Sequence, residues 1–295
     1  MVAHGLVGDE RSLTDTVIKA FEDTQDLRLK TLMAALVRHA HAFVREVDLS
    51  ERELEAALDF LVRIGQSTHD SHNEAVLAAD VLGISTLVSL RCNPAAQGQT
   101  AAALLGPFWR ADAPLCEAGA DIARAPIDAA PLFVAGRVLD PEGQPLAGAL
   151  VDVWQASPHG LYENQDAEQP DMNLRGRFVT DDAGRFRFRT VRPRGYPVPT
   201  DGPVGELLAA QRRHPYRPAH LHFMVSRDGS KTLITQIFAD DAEYLDSDVV
   251  FGATESTVGR LVQHPAEADL PARYTLDYDF VLQAGTRTFP KPPIK

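Results

Sequence analysis

The chain has 295 residues, enough for one large or two ordinary domains, and this excludes a mini-domain that depends on disulfides for its core. Hydrophobic residues make up 44% and charged residues 24% of the chain, so the composition excludes a disordered or fibrous protein. With 41 acidic against 29 basic residues, the net charge of -12 argues against nucleic acid and anionic membranes as partners.

The start of the chain and its cysteines bear on where the protein works. The first residues, MVAHGLVGDERS, lack the charged and apolar regions of a signal peptide. The longest apolar stretch, residues 76–90, is shorter than the roughly 20 residues of a membrane span, and we expect one buried helix there. Cys92 and Cys116 are too few for a disulfide scaffold, which is typical of a reducing compartment. We therefore expect a cytoplasmic protein with no membrane insertion.

The first third of the chain has the apolar spacing of helices. A short helix is predicted over residues 12–23, a long one from Asp26, a third after the capping pair Ser50 and Glu53, and a fourth over 70–91. One apolar stripe marks the long helix: Leu29, Met33, Leu36, Ala40, Phe43 and Val47. Residues 93–99 and 111–131 are rich in Pro, Gly or Ala and are predicted to be connecting segments.

Beyond these segments the hydrophobic period becomes two, which predicts short strands. They cover residues 132–138, 149–154, 176–180, 185–191, 220–226, 231–238 and 274–282. We expect hairpins at the turns 181–184 and 228–229. The predicted fold is α+β, with an N-terminal helical bundle over residues 1–100 and an antiparallel β-sandwich over 101–295.

Two histidines and two tyrosines are candidate metal ligands. His220 and His222 lie two apart on a strand and point to one face, where they could bind a cation or simply be hydrogen bonded. Tyr162 and Tyr196 each follow a strand, on loops that a rigid sheet can aim, although each could equally be a packed ring. A phenol binds metal as phenolate, which a hard trivalent cation favours, so together the four suggest Fe(III).

Seven segments in order make the chain resemble the intradiol ring-cleaving dioxygenases. They are LLGPFWRADAP (104–114), GALVDVWQA (148–156), GLY (160–162), NLRGRF (173–178), RPRGYPVPTDGPVG (192–205), RPAHLHF (217–223) and YLDSDVVFG (244–252). The helical part is similar too, through residues 65–88. The resemblance looks strongest to the hydroxyquinol 1,2-dioxygenases.

The resemblance implies one non-haem Fe(III) per subunit, held by Tyr162, Tyr196, His220 and His222. It places Tyr196 and His222 axially and implies that Tyr196 also acts as a base toward the substrate. Arg217 corresponds to the arginine that stabilises the carbanion-like substrate, and Gln236 to a glutamine near the same site. The implied catalytic residues are therefore Tyr196, Arg217 and Gln236.

The resemblance also implies the reaction and the pocket. We expect O2-dependent intradiol cleavage of hydroxyquinol (benzene-1,2,4-triol) to 3-hydroxy-cis,cis-muconate, the tautomer of maleylacetate, in the catabolism of aromatic compounds. The residues expected to line the ring pocket are Asp80, Leu82, Gly106, Pro107 and Phe108. Asp80 could accept a hydrogen bond from the additional hydroxyl or pair locally.

Several alternatives stay open at the level of sequence. Catechol or a chlorocatechol is the other substrate class, because a few pocket side chains change ring preference by only about 1–3 kcal/mol each. Outside the family, a cupin-like metalloenzyme or a metal-free sandwich binding module would share the strand pattern. The resemblance further implies a homodimer through the helical domain, with a bound phospholipid as a possible additional partner.

Overall fold

The computed structural model describes residues 5–70, 72–93, 98–267 and 271–294. Residues 94–97 of the predicted connecting segment 93–99 lie outside the described residues. The chain divides into two compact units, Met1–Val62 and Arg63–Lys295. The predicted division near residue 100 stays a prediction.

The described helices follow the predicted order in the first third of the chain. They are α1 (Glu10–Lys19), α2 (Leu27–Glu46), α3 (Glu51–Ser67), α4 (Glu74–Val81), α5 (Ile84–Cys92) and, between strands, α6 (Pro203–Ala210). The predicted starts of α2 and α3 are confirmed. The Asp26 carboxylate accepts hydrogen bonds from the backbone N–H groups of Arg28 and Leu29, and Ser50 and Glu53 exchange hydrogen bonds at the start of α3.

The predicted single helix over residues 70–91 is wrong, because the chain breaks after α4. Gly83 adopts a φ of 70°, a left-handed conformation that ends α4 and redirects the chain into α5. The expectation of a buried helix holds for α4 only, since α5 has no buried residue. Within the described ranges, no single helix is long and apolar enough to span a membrane, and α4 with α5 would suffice only as a pair bent by 75°.

The strands of the second unit agree with most of the predicted bounds. They are β1 (Pro131–Leu139), β2 (Leu150–Trp154), β3 (Arg175–Val179), β4 (Arg185–Val191), β5 (Tyr196–Pro197), β6 (Tyr216–Arg217), β7 (His220–Ser226), β8 (Leu233–Ala239), β9 (Val258–Gly259), β10 (Val262–His264), β11 (Arg273–Asp277) and β12 (Phe280–Val281). The strand predicted over residues 274–282 is divided into β11 and β12.

Two five-stranded sheets carry the fold. One has the order β10-β11-β1-β12 with β4 also paired to β1, and the other has the order β3-β2-β7-β8-β9. The predicted α+β class is confirmed, but a purely antiparallel sandwich is not, because β11 and β12 run parallel to β1 and β9 runs parallel to β8. Strands β11 and β12 are distant from β1 in the sequence, and β9 follows β8 after a long connection. Parallel pairing requires long connections of this kind.

Only one of the two predicted hairpins forms. The turn at residues 228–229 joins β7 and β8, which pair antiparallel from His220–Phe238 to Val225–Leu233. The turn at 181–184 instead carries the chain between sheets, because β3 pairs with β2 while β4 pairs with β1. The residues of that turn have the local sequence signal for a hairpin, but β3 and β4 each pair with a different strand.

Alternation along β7 separates the core from the opposite face of its sheet. Leu221, Phe223 and Val225 belong to the main buried cluster, together with apolar residues of β1, β2 and β4. His220 and His222 therefore lie on the other face, together with Met224, which belongs to a separate aromatic cluster. The site described next is built on this outer face.

Candidate metal centre

The four predicted ligands converge in one buried place. The phenol oxygens of Tyr162 and Tyr196 lie 3.1 Å apart, and so do the Nε2 atoms of His220 and His222. The ring centroids of Tyr196 and His220 are 5.5 Å apart, and those of Tyr162 and His222 are 6.3 Å apart. All four side chains are buried, Tyr196 being the most exposed at 6%.

One cross-strand row positions His222. Arg175 on β3, Trp154 on β2, His222 on β7 and Gln236 on β8 lie directly opposite one another in register. The indole of Trp154 stacks on the His222 ring with centroids 4.9 Å apart and planes at 12°. Side chains in register on one face of a sheet are held as neighbours, so the imidazole is fixed on both sides.

The hydrogen bonding of His220 leaves the lone pair of one ring nitrogen, Nε2, directed toward the other predicted ligands. Its Nδ1 lies 2.7 Å from the Pro218 carbonyl oxygen, and since a carbonyl can only accept, Nδ1 carries the proton. The Nε2 lone pair therefore faces His222 and accepts a hydrogen bond from Arg217 Nη1 over 3.2 Å. A backbone bond of this kind is the usual way in which a metal-binding histidine is oriented.

Burial determines the charge state of the four groups. It lowers the pKa of His220 to about 3, with the Arg217 charge adding to the effect, and lowers the pKa of His222 well below its usual value. Both imidazoles are thus neutral near pH 7, which is the form that binds metals. Burial raises the pKa of both phenols above their usual value, so only a nearby cation would make phenolates of them.

The donor set fits a single metal ion. Two ligand atoms about 2.1 Å from one ion and roughly at right angles are separated by about 3.0 Å, close to both distances found here. In the part of the chain that is described, no three His, Cys, Asp or Glu side chains cluster as metal ligands. The centre therefore depends on the phenol oxygens, which favour a hard, highly charged cation.

Arg217 and Gln236, predicted to be catalytic, are hydrogen bonded to each other beside the histidines. Arg217 donates from Nη2 to Gln236 Oε1 over 2.8 Å, and Gln236 Nε2 donates to the Leu104 carbonyl over 2.7 Å. Gln236 Nε2 also lies 3.3 Å from His222 Nδ1. These contacts tie the arginine, the glutamine and a histidine into one network with the segment that starts at Leu104.

The sequence analysis did not single out Asp248, the acidic partner of Arg217. Its two oxygens accept hydrogen bonds from Arg217 Nε and Nη2 at 3.1 and 2.9 Å, and both side chains are buried. Burial alone would raise the pKa of Asp248, but the charge and hydrogen bonds of Arg217 outweigh it, and the pKa lies below its usual value. The residue lies in the segment YLDSDVVFG, so its place in the resemblance was the available signal.

Three of the five predicted pocket residues line two cavities. Asp80 and Gly106 line a cavity of about 680 Å³. Phe108 lines a second cavity of about 630 Å³ together with Tyr196, and its ring stacks on Tyr162 with centroids 4.6 Å apart. Pro107 is half-buried between Gly106 and Phe108. The structure does not bring Leu82 to either cavity, because Leu82 caps α4 and is 55% exposed.

Close approach explains the glycine in this segment. Gly106 has a φ of 74°, and a Cβ atom there would lie 3.2 Å from Cε1 of His222. Val198 and Pro199, which the sequence analysis did not select, line the cavity that contains Tyr196. They lie in the segment RPRGYPVPTDGPVG, so their place in the resemblance was an available signal.

Comparison with known proteins finds relatives over most of the chain. A dioxygenase family model matches residues 105–284, and a model of the catechol dioxygenase N terminus matches residues 26–100. The chain is 43% identical to a hydroxyquinol 1,2-dioxygenase of Rhizobium sp. (strain MTP-10005), covering 94% of this chain and 96% of that protein. It is also 43% identical to a 6-chlorohydroxyquinol 1,2-dioxygenase of Cupriavidus pinatubonensis, covering 93% of this chain and 97% of that protein.

The fold gives the same result. The crystal structure of a hydroxyquinol 1,2-dioxygenase from Pseudomonas putida DLL-E4 superposes with a TM-score of 0.87 at 40% identity, covering 94% of this chain and 99% of that one. Matched over both its helical and its sheet-rich part, the chain belongs to the intradiol ring-cleavage dioxygenases, the family that its sequence motifs indicated.

Proposed function

We propose that this protein cleaves hydroxyquinol with O2 at a non-haem Fe(III) held by Tyr162, Tyr196, His220 and His222. The observation that carries the proposal is the convergence of two phenol and two imidazole groups, with both donor pairs 3.1 Å apart. The products would be 3-hydroxy-cis,cis-muconate and its tautomer maleylacetate, with the bond between the two adjacent hydroxyl-bearing carbons, C1 and C2, broken and both atoms of O2 incorporated.

When bound, the ferric ion would withdraw electrons from the diol and make the ring reactive toward O2. The remaining roles belong to this chain. Tyr196 Oη, in its phenolate form, would take one proton of the diol, since burial raises the pKa of this phenol and so favours its protonated form. Arg217, held by Asp248, would stabilise negative charge that develops on the substrate. Gln236 would keep that guanidinium and His222 in place.

Asp80 supports the choice of a triol. It is buried, lines the cavity next to Gly106, and burial raises its pKa to about 6. Near pH 7 it is largely a carboxylate, a form favoured by a hydrogen bond from Ser85 and by the Arg217 charge, and a buried carboxylate is a strong acceptor for an additional ring hydroxyl. Catechol and chlorocatechols, which lack that hydroxyl, are the alternative substrates. The cupin-like enzyme and the metal-free binding module are set aside by the family membership.

Colour and products test the proposal. Iron-loaded protein should be red, because tyrosinate bound to Fe(III) absorbs visible light, and chelation of the iron should remove both colour and turnover. Benzene-1,2,4-triol should be turned over with a higher kcat/KM than catechol or a chlorocatechol. A colourless iron-loaded protein would contradict the metal centre, an aldehyde product would contradict intradiol cleavage, and a preference for catechol would contradict the choice of substrate.

A homodimer in the cytoplasm completes the proposal. Large apolar side chains are exposed along the helices of the first unit, and separately on α5, and a second copy is the partner proposed to cover them. They include Leu29, Leu36, Phe43, Leu58, Leu61, Leu87 and Val88. Cys92 and Cys116 are free thiols, in keeping with a reducing compartment. Sedimentation equilibrium tests the dimer, and mass spectrometry of an organic extract tests for a bound phospholipid.

A further inference from the structure

Glu163, the residue after Tyr162, is a buried carboxylate shared between two arginines. Its Oε2 accepts a hydrogen bond from Arg175 Nε over 2.7 Å, and its Oε1 accepts one from Arg110 Nη1 over 2.8 Å. The side chains of Glu163 and Arg175 are 2% and 1% exposed. Each oxygen therefore holds a different arginine, and the two arginines belong to different parts of the site.

The Arg175 side of this carboxylate faces the ligands. The Arg175 guanidinium carbon lies 5.7 Å from the centroid of the Tyr162 ring. In the sheet, Arg175 is the direct neighbour of Trp154, whose indole stacks on His222. Arg175 Nη2 donates to Asn164 Oδ1 over a long 3.5 Å, and Nη1 has no hydrogen-bond partner among the described residues. The 2.7 Å bond to Glu163 is therefore the main polar contact of Arg175. A shift of Arg175 would thus reach both Tyr162 and, through Trp154, His222.

The Arg110 side faces the pocket. Arg110 comes two residues after Phe108, whose ring stacks on Tyr162 with centroids 4.6 Å apart. Arg110 also donates to Asp171 Oδ1 over 2.8 Å, but the Asp171 side chain is 77% exposed. Of the two carboxylates bonded to Arg110, the buried Glu163 is therefore the more rigid. The Glu163–Arg110 bond therefore ties the end of the Gly106–Phe108 segment to the loop that carries Tyr162.

We propose that Glu163 is a positioning residue with two separable functions: through Arg175 it fixes the direction of the Tyr162 phenol toward the metal, and through Arg110 it fixes the Phe108 side of the substrate pocket. This inference rests on the proposed function. It requires that the two bonds have different consequences when broken singly, because one supports a ligand and the other supports the pocket.

Two variants each break one bond without leaving Glu163 unpaired. Arg175→Met removes the buried cation beside Tyr162 and leaves the carboxylate with Arg110, while Arg110→Met does the reverse. For Arg175→Met we expect a shifted tyrosinate absorption maximum and an iron affinity lower by about 10–100-fold, as for other residues that support metal ligands. For Arg110→Met we expect an unchanged absorption maximum and unchanged iron affinity, but a higher KM for benzene-1,2,4-triol at similar kcat.

Arg137→Met is the matched control, because it breaks the exposed Arg137–Asp279 pair of the other sheet. It should leave the absorption maximum, the iron affinity and the KM unchanged. If Arg175→Met does not accumulate in folded form, Arg175→Lys and Glu163→Gln replace it, and both should shift the absorption maximum.

The outcomes separate this inference from the proposed function. A wild-type protein without a tyrosinate band contradicts the proposed function itself. If the wild type is coloured, the positioning role is tested by the Arg175 and Glu163 variants. The role is contradicted if these variants lose only thermal stability and keep the wild-type absorption maximum and iron affinity. The proposal of two separable functions is also contradicted if Arg110→Met shifts the absorption maximum as much as Arg175→Met does. The Glu163–Arg110 and Glu163–Arg175 bonds would then have the same consequence when broken.

Discussion

Arg217 and Asp248 form a two-point buried ion pair next to His220, with Nε–Oδ1 and Nη2–Oδ2 distances of 3.1 and 2.9 Å. Asp248 also accepts hydrogen bonds from the backbone N–H groups of Gly252 and Ala253 at 2.9 and 3.1 Å. One carboxylate thus holds the guanidinium and the start of the following loop. Arg217 can present a fixed positive charge at the site because Asp248 compensates that charge inside the protein.

Asp248→Asn should therefore destabilise the protein strongly. The substitution leaves a buried guanidinium without its compensating charge, and losses of about 3–5 kcal/mol are typical of such changes. Urea unfolding at pH 7 measures the effect. Asp279→Asn, which breaks an exposed pair with Arg137, is the control and should change the free energy of unfolding little. Equal effects of the two substitutions would show that burial of the Arg217 pair has no special importance.

Tyr196→Phe should separate colour from turnover. Phenylalanine keeps the packing of the ring but removes the oxygen 3.1 Å from Tyr162 Oη and with it the proposed base. We expect a weaker visible band, still carried by Tyr162, and a kcat lower by about 100- to 10,000-fold, the usual contribution of a general base. Tyr278→Phe, at a hydroxyl that donates to the Ser256 carbonyl, is the matched control. Wild-type turnover by Tyr196→Phe would remove the base role.

Asp80→Asn should change which ring the enzyme prefers. A hydrogen bond to a charged acceptor is worth roughly 1.5–3 kcal/mol, so kcat/KM for benzene-1,2,4-triol should fall by about 10- to 100-fold. The kcat/KM for catechol should change much less, because catechol has no third hydroxyl that could donate a hydrogen bond to Asp80. Asp59→Asn, at an exposed position of α3, should leave the ratio of the two kcat/KM values as in the wild type. An equal fall for both substrates would assign Asp80 a structural role.

The parts of the site that local patterns encode could be predicted from the sequence. The spacing of His220 and His222 places both imidazoles on one face of β7. Tyr162 lies on a loop as predicted, but Tyr196 does not, because it pairs with Arg217 in the short strand β5. The start of α3 followed from the capping pair Ser50 and Glu53, and the start of α2 from the spacing of its apolar residues, for the same reason: each depends on residues a few positions apart.

The parts that depend on tertiary pairing could not be predicted in this way. Residues 181–184 satisfy the local signal for a hairpin, but β3 and β4 pair with different strands, and nothing in the turn records that choice. Gly83 interrupts an apolar run that reads as one helix, and this turns Leu82 outward and keeps Asp80 inside. Asp248 becomes significant only through its contact with Arg217, 31 residues away in the chain.

Asp152, on the same sheet face as Trp154, should make stability depend on pH. Burial raises its pKa to about 7, while the indole N–H of Trp109, which donates to Asp152 over 3.1 Å, and nearby arginines oppose the shift. In the unfolded chain an aspartate has a pKa of about 3.9.

Between these two pKa values the folded protein retains a proton that the unfolded chain has released, so stability falls as the pH rises from about 4 to about 7. Between pH 5 and pH 8 this loss amounts to roughly 2–3 kcal/mol, at about 1.4 kcal/mol for each pH unit below the folded pKa.

Asp152→Asn should remove this loss, because the amide does not ionise and its oxygen can still accept from Trp109. The variant should therefore gain stability over the wild type at pH 8 and gain less at pH 5, as measured by urea unfolding of equally iron-loaded proteins. Asp182→Asn, at an exposed turn position, is the control and should follow the wild-type pH dependence. If Asp152→Asn and the wild type lose stability in parallel between pH 5 and pH 8, Asp152 is not the group responsible.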